Sequence, residues 1–295
     1  MMRSFHEPVM VEEVCHFLLC GEGVYVDATV GGGGHAKAFL ERLGQHSVLV
    51  GIDRDKEALE AAWKNLSAFT PRVLLVHGRF SELQRILQSL NIPKVRGVFF
   101  DLGVSSWQLD EARRGFSFLR EGPLDMRMDA SCGRTAYDLL HSLSEGELAD
   151  LFFRFGEERY ARRIARAIVV YRKQKPITTT AELATLVARI VPRKRIHPAT
   201  RVFMALRIAV NEELDELEKA LMQLPEVLEE RGRVVVLSYH SLEDRLVKRF
   251  FRECPVLRNL TKKPVFPSQE EVLQNPRARS VRLRAAERVA LEGGT

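Results

Sequence analysis

The chain has 295 residues, enough for two domains or for one domain carrying a large insertion. Hydrophobic residues make up 45% and charged residues 28%, which excludes wholesale disorder, and no apolar run reaches the roughly 18 residues of a membrane span. The net charge of +6 is unevenly placed: residues 151–210 hold fourteen basic side chains against three acidic ones, so the rest of the chain is net acidic and this segment points to a polyanionic partner.

Cys15, Cys20, Cys132 and Cys254 are too few and too scattered for a disulfide framework or a zinc knuckle, and no metal site is expected. The first residues lack the apolar core of a signal peptide, so a cytoplasmic protein is expected. In chain order, Val24 to Asp27 reads as a short strand running into Gly31, Gly32, Gly33 and Gly34. His35 to Leu43 then has helical spacing. Val48 to Ile52 is a second strand ending at Asp53, and Lys56 to Phe69 a second helix. Val73 to Val76 and Gly97 to Leu102 read as strands, with a helix around Glu82 to Leu90 between them. This alternation predicts βαβ units and a parallel sheet.

The pattern then changes. Residues 103–135 read as loop, and residues 144–223 as helix only. Thr179 and Glu182 form a capping box for a helix that Pro192 stops, and Thr200 to Leu221 reads as one long helix. A strand returns at Arg233 to Leu237, followed by a helix from Leu242 to Phe251. The expected fold is α/β, interrupted after its fourth strand by an all-helical insertion. We place the discontinuous sheet domain at 1–108 and 211–295, and the insertion at 109–210.

The glycine turn lets the backbone pass close to a ligand. Gly31, Gly33 and Ala36 match a dinucleotide fingerprint, so a diphosphate at the helix N-terminus would fit. Asp27, four positions before the first glycine, favours a cationic or amine group instead, such as the methionine part of S-adenosylmethionine. Asp53 would bind ribose hydroxyls in either case. Phe80, after the third strand, would offer an apolar face to adenine or simply pack in the core.

Several motifs recur together: HEPVM (6–10), DATVGGGGH (27–35), DLGVSS (101–106), RGFSF (114–118), GPLDMRM (122–128), PATR (198–201), ALRIAVN (205–211), SYHSLEDR (238–245) and NPRARS (275–280). With these the chain resembles, nearly end to end, the bacterial small-subunit ribosomal RNA methyltransferase H family, also called MraW. Met10 and Tyr239 depart mildly from its pattern, where Leu and Phe are commoner. The resemblance implies a class I (Rossmann-like) methyltransferase fold with a helical domain inserted after the fourth strand. It also implies methylation of N4 of a cytidine in the decoding region of 16S rRNA, with S-adenosylmethionine as cofactor. Gly33, Gly34, His35, Asp53, Phe80, Asp101 and Gln108 match its cofactor contacts.

Methyl transfer from a sulfonium is an in-line displacement, so alignment is the main catalytic task. A cytosine amine is a poor nucleophile because its lone pair is delocalised, and acceptors for its hydrogens would free that pair. The 101–106 loop is expected to supply them, with Asp101 and Ser105 as the candidates. Ser238, His240 and Ser241 would line the base side, although His240 would equally well cap the following helix. His6 would close over the site or play a bland role. Trp107 and Phe116 would stack on a flipped base or pack in a core. Asn211 is unusual in mid-helix and is expected to face a site or a packing contact.

Arg159, Arg162, Arg163 and Arg166 form one predicted helical stripe, with Ala161, Ile164, Ala165 and Ile168 opposite. Arg172, Lys173, Lys175, Arg193, Lys194 and Arg195 extend the charge through the flanking loops. The expected partner is 16S rRNA within the small ribosomal subunit, with no membrane involvement, the protein acting as a monomer or homodimer. An NAD(P)-dependent oxidoreductase would share the glycine turn and Asp53 but leaves the basic segment unexplained. A non-catalytic RNA-binding assembly factor would explain that segment but not the cofactor residues.

Overall fold

The computed structural model describes residues 8–192 and 196–290. The chain divides into two compact units, one of residues 1–103 and 214–295, the other of residues 104–213. The division falls a few residues from the positions read in the sequence. Ser105 and Gln108 therefore belong to the helical unit.

The first unit carries a seven-stranded sheet. Its strands are β1 (Val24–Asp27), β2 (Val48–Asp53), β3 (Val73–His77), β4 (Val95–Asp101), β5 (Leu228–Ser238), β6 (Leu257–Asn259) and β7 (Arg282–Arg288). Their order is β3-β2-β1-β4-β5-β7-β6. The first five are parallel, and β7 runs antiparallel to both of its neighbours. Helices α1 (Val11–Leu18), α2 (Gly34–Arg42), α3 (Lys56–Leu66) and α4 (Leu83–Ser89) accompany the first half of the sheet. Both faces are covered, as parallel strands require. Tyr25, Leu49, Phe99, Val235 and Leu237 pack with Phe39 on one side, while Val26, Val50, Val98, Phe100 and Val236 pack with Leu83, Leu221 and Phe251 on the other.

The predicted strands and helices of residues 24–102 all form, with ends that move by a few residues. Strand β7 has no counterpart among the expectations. Its sequence is charged, yet Arg284 and Glu287 are buried because each finds a partner: Arg284 bonds Asp244 at 2.7 Å, and Glu287 accepts from Arg233 and Arg258.

The second unit contains α5 (Ser106–Asp110), α6 (Ala136–Ser142), α7 (Glu145–Gly156), α8 (Ala161–Arg172), α9 (Thr180–Ala188) and α10 (Thr200–Asn211). Phe152, Ile164, Ile168, Leu183, Val202 and Leu206 form its core. Capping boxes start four of these helices, at Ser105, Thr135, Ser144 and Thr179. A Cβ on Gly156 would lie 2.7 Å from the Arg201 carbonyl, so only glycine permits this approach of α7 to α10.

Three expectations for this unit need correction. The segment read as loop contains the short helix α5. The single helix expected over 200–221 is two, α10 and α11 (Glu213–Val227), because Glu212 takes a left-handed φ of 52°. Finally, Arg159 precedes α8, so the helical stripe consists of Arg162, Arg163 and Arg166 alone. Among the described residues, no helix is long and apolar enough to cross a membrane. His6, Arg193, Lys194 and Arg195 lie outside the described residues.

Candidate cofactor site and basic surface

Three parallel strands end in carboxylates: β1 at Asp27, β2 at Asp53 and β4 at Asp101. Asp27 pairs in register with Gly51 and with Phe99, so Asp53 and Asp101 each lie two residues farther along. Side chains two apart in a strand share a face. The three acids therefore crowd one side of the sheet at its carboxyl end, where ligands of doubly wound folds bind.

Asp27 is 1% exposed and accepts the Thr29 amide at 3.2 Å. Burial pushes its carboxyl well above the ordinary range, and the charges of Asp101 and Asp53 push it further. Asp53 accepts the Gly31 amide at 2.8 Å through one oxygen and the Asp55 amide at 2.8 Å through the other. Burial nevertheless lifts it to about 6. Among the described residues, neither Asp27 nor Asp53 has a lysine or arginine within salt-bridge distance. Such a cluster repels a diphosphate and attracts a cation.

The glycine turn meets this cluster. Gly33 has φ 84° and is the N-cap of α2, and a Cβ there would press on Leu66 at 3.1 Å. His35, in the first turn of α2, is buried. It donates from Nε2 to the Val9 carbonyl at 2.9 Å and sets Nδ1 3.5 Å from Asp101 Oδ2. On the other side, the Tyr239 hydroxyl donates to Asp101 Oδ1 at 2.8 Å. Burial and the neighbouring Asp101 carboxylate raise the Tyr239 phenol well above its usual value, so it keeps the proton it donates. Sequence reasoning passed over this contact; the only signal was Tyr at a position where the resembled family more often has Phe. Phe80 is half-buried and meets Phe100 edge to face at 5.7 Å.

Asp27, Gly33, Gly34, His35, Asp53, Phe80 and Asp101 thus all fall in the sheet unit. His240 is there too, but as the N-cap of α12 (Ser241–Glu253): its side chain accepts the Glu243 amide, while Glu243 accepts the Tyr239 and His240 amides. Capping is the role the geometry gives it. In the helical unit, Ser105 and Gln108 form the capping box of α5, the Ser105 hydroxyl accepting the Gln108 amide and the Gln108 side chain accepting the Ser105 amide. Trp107 lies under the Arg113 and Arg114 guanidinium groups, and Phe116 is buried. Asn211 is 1% exposed and ties the 126–128 loop to α10, accepting from Met128 and donating to the Met126 and Arg207 carbonyls.

The basic segment is not uniform. Arg172 donates to the carbonyls of Leu140 and Leu143, Lys175 pairs with Glu182, and Arg207 with Glu213. By contrast Arg159, Arg162, Arg163 and Arg166 are exposed, with no acidic partner among the described residues; Arg163 rests over the Tyr160 ring. Ala161, Ile164, Ala165 and Ile168 face the core, as the spacing predicts.

The strand order, the glycine turn into α2 and the acids at the tips of β1, β2 and β4 define a class I S-adenosylmethionine-dependent methyltransferase. A family model, the MraW methylase family, matches residues 3–289. The chain is 51% identical to ribosomal RNA small subunit methyltransferase H of Syntrophotalea carbinolica, over 96% of this chain and 98% of that one. With the protein of the same name from Pseudothermotoga lettingae it shares 48% identity, over 97% and 100% of the two chains. A solved rRNA methylase structure from Streptococcus thermophilus is 12% identical, with a TM-score of 0.45 over 95% of this chain and 94% of that one. The chain belongs to the MraW methylase family.

Proposed function

We propose that the protein transfers a methyl group from S-adenosylmethionine to N4 of a cytidine in the decoding region of 16S rRNA, acting in the cytoplasm on the small ribosomal subunit. The names of its relatives support small-subunit rRNA as substrate, and the resemblance of its motifs supports the cytidine amine. The observation that carries the chemistry is Asp101, an acceptor at the tip of β4 held between Tyr239 and His35 on the same side of the sheet as Asp27 and Asp53.

The residues present fit the cofactor. Asp53 would accept its ribose hydroxyls, Asp27 would meet its cationic end, Phe80 would face its adenine, and the turn at Gly33 and Gly34 would let the backbone approach. Gln108 is a cofactor contact by resemblance alone. When bound, S-adenosylmethionine supplies the electrophilic methyl group. The chain's own task is alignment: an acceptor at Asp101 takes a hydrogen bond from the cytosine amine, turns it and frees its lone pair. Ser105 is the second candidate acceptor, through the carbonyl side of its loop, since its hydroxyl is committed to the cap of α5.

Arg159, Arg162, Arg163 and Arg166 would hold rRNA phosphates, with Arg193, Lys194 and Arg195 adding charge. Nucleoside mass spectrometry on small subunits lacking the modification tests the whole reading. Adding protein and methyl donor should produce N4-methylcytidine at one decoding-region position, and a methyl group on another atom or base would refute it. Asp101→Asn should slow single-turnover methylation at saturating cofactor; an unchanged rate would remove Asp101 from the chemistry.

A further inference from the structure

Residues 8–10, just before α1, bend against the glycine turn. A Cβ on Gly34 would lie 3.2 Å from the Pro8 ring. The Val9 carbonyl accepts the His35 Nε2 proton at 2.9 Å, and His35 Nδ1 lies 3.5 Å from Asp101 Oδ2. Met10, the N-cap of α1, is buried and takes a left-handed φ of 56°, an uncommon state for a bulky residue that persists only where its surroundings fix it. Its amide donates to Glu271 Oε1 at 2.6 Å, across 261 positions of sequence. Glu271 is half-buried in α13 (Gln269–Gln274) and gives up a local bond for this contact. Ser268 caps α13 by accepting the Glu271 amide, and Ser-x-x-Glu is the pattern of a capping box, whose glutamate folds back on the capping residue. Asp138, Glu147, Glu182 and Glu243 fold back in this way at the starts of their helices. At α13 the box is half-made, and the carboxylate reaches the bend at Met10 instead. A local rule broken for a long-range contact marks a place where structure serves a site.

We propose that Glu271 is a positioning residue for methyl transfer: it pins the bend at Val9 and Met10, whose carbonyl side orients His35, and so fixes Asp101 opposite the Tyr239 hydroxyl. The proposal rests on the reading of Asp101 as the acceptor for the amine. Asp101 is then clamped from two directions. Tyr239 reaches it from the end of β5, and His35 reaches it as the last member of a relay that ties an N-terminal bend to a C-terminal helix. Without the Glu271 oxygen, the Met10 amide loses a charged partner in a buried place and the left-handed bend has less to hold it. The Val9 carbonyl moves with the bend, and the imidazole follows the carbonyl. Alignment is the main catalytic task here, so a small displacement of the acceptor costs rate rather than substrate affinity.

Single-turnover methylation of small subunits at saturating cofactor tests this, with rRNA affinity measured separately. Glu271→Ala should slow transfer about tenfold and leave rRNA affinity unchanged. Glu271→Gln keeps an oxygen for the Met10 amide and should restore most of the rate. Glu271→Asp keeps the charge in the first turn of α13 but draws the oxygen back by one methylene group, and it should still slow transfer several-fold. Val272→Ala thins the packing of the same helix; it should lower the melting temperature and spare the rate. In a His35→Ala background, which already lacks the relay, Glu271→Ala should add about twofold or less. Nitrogen-15 spectra of the His35 ring in the free protein should move in Glu271→Ala and Glu271→Asp and stay in place in Glu271→Gln. Three results would overturn the proposal: Glu271→Gln as slow as Glu271→Ala, Val272→Ala as slow as either, or an undiminished cost of Glu271→Ala in the His35→Ala background. Asp101→Asn separates the two levels. If it slows transfer while Glu271→Ala does not, the positioning role alone fails. If it leaves the rate unchanged, the reading of Asp101 beneath it fails.

Discussion

Tyr239 shows how much one hydroxyl can carry. Replacing it by Phe keeps the ring and removes the sole proton it lends to Asp101. A hydrogen bond to a charged, buried group is worth about 1.5–3 kcal/mol. Tyr239→Phe should therefore lower the single-turnover rate by roughly tenfold, with little change in rRNA affinity, as rapid-quench kinetics and filter binding would measure. Asp53 makes a prediction about pH. Its carboxyl titrates near 6 in the fold against an ordinary 3.8, so between these values the folded chain binds more protons than the unfolded one. Its contribution to stability is greatest at low pH and declines as the pH climbs to 6. Its capacity to accept two ribose hydroxyls grows over the same interval. Thermal shifts caused by S-adenosylhomocysteine should accordingly widen from pH 5 to pH 7, and a flat response would contradict this assignment. The acids themselves were legible in the sequence, because their offsets from glycine and strand are local. Their bonds to Tyr239, Gly31 and Asp55 were not, since those depend on which strand tips the sheet brings side by side.

Among the elements, β7 and the break between α10 and α11 best separate what sequence patterns reveal from what they hide. The first five strands announced themselves as runs of Val, Ile, Leu and Phe. Strand β7 mixes arginine and glutamate with alanine, and its burial is possible only because Asp244, Arg233 and Arg258 wait on its neighbours. Asp244→Asn would strand the Arg284 charge, and chemical denaturation should report a loss of about 3 kcal/mol. The apolar stripe from Phe203 to Leu221 looked continuous because it is, yet it serves two cores: Phe203 and Leu206 in one, Leu217 and Leu221 in the other. The helix breaks at Glu212, and just before it Asn211 spends both amide donors and its acceptor on backbone groups of the 126–128 loop and of α10. Asn211→Ala leaves the Met128 amide and the Met126 carbonyl buried without this partner and should cost roughly 2–4 kcal/mol. Asn211→Asp, nearly identical in shape, should rescue little, because a carboxylate cannot donate to the Met126 carbonyl.

For the whole molecule, charge is the property most readily misjudged from composition. Fourteen basic residues in sixty pointed to a polyanionic partner for the segment. The fold instead consumes Arg172, Lys175 and Arg207 in internal bonds and leaves a smaller set around the start of α8 for a polyanion. If Arg162, Arg163 and Arg166 each hold a phosphate, their combined reversal should flatten the log–log dependence of rRNA affinity on salt by about two units. The same triple change at Arg172, Lys173 and Lys175 should flatten it less and destabilise the unit more.

Strand β7 has one more effect, on biosynthesis. It lies between β5 and β6, although the ribosome makes it after both. At about 5–20 residues per second, both earlier strands wait beside an open gap until residues 282–288 clear the exit tunnel. Until then the nascent chain holds unsatisfied backbone edges, and Arg233 and Arg258 lack their partner Glu287. A stop codon anywhere before Arg282 would thus release a polypeptide whose sheet ends at an open β5 edge with β6 left unpaired, an obvious substrate for proteolysis rather than a nearly active enzyme.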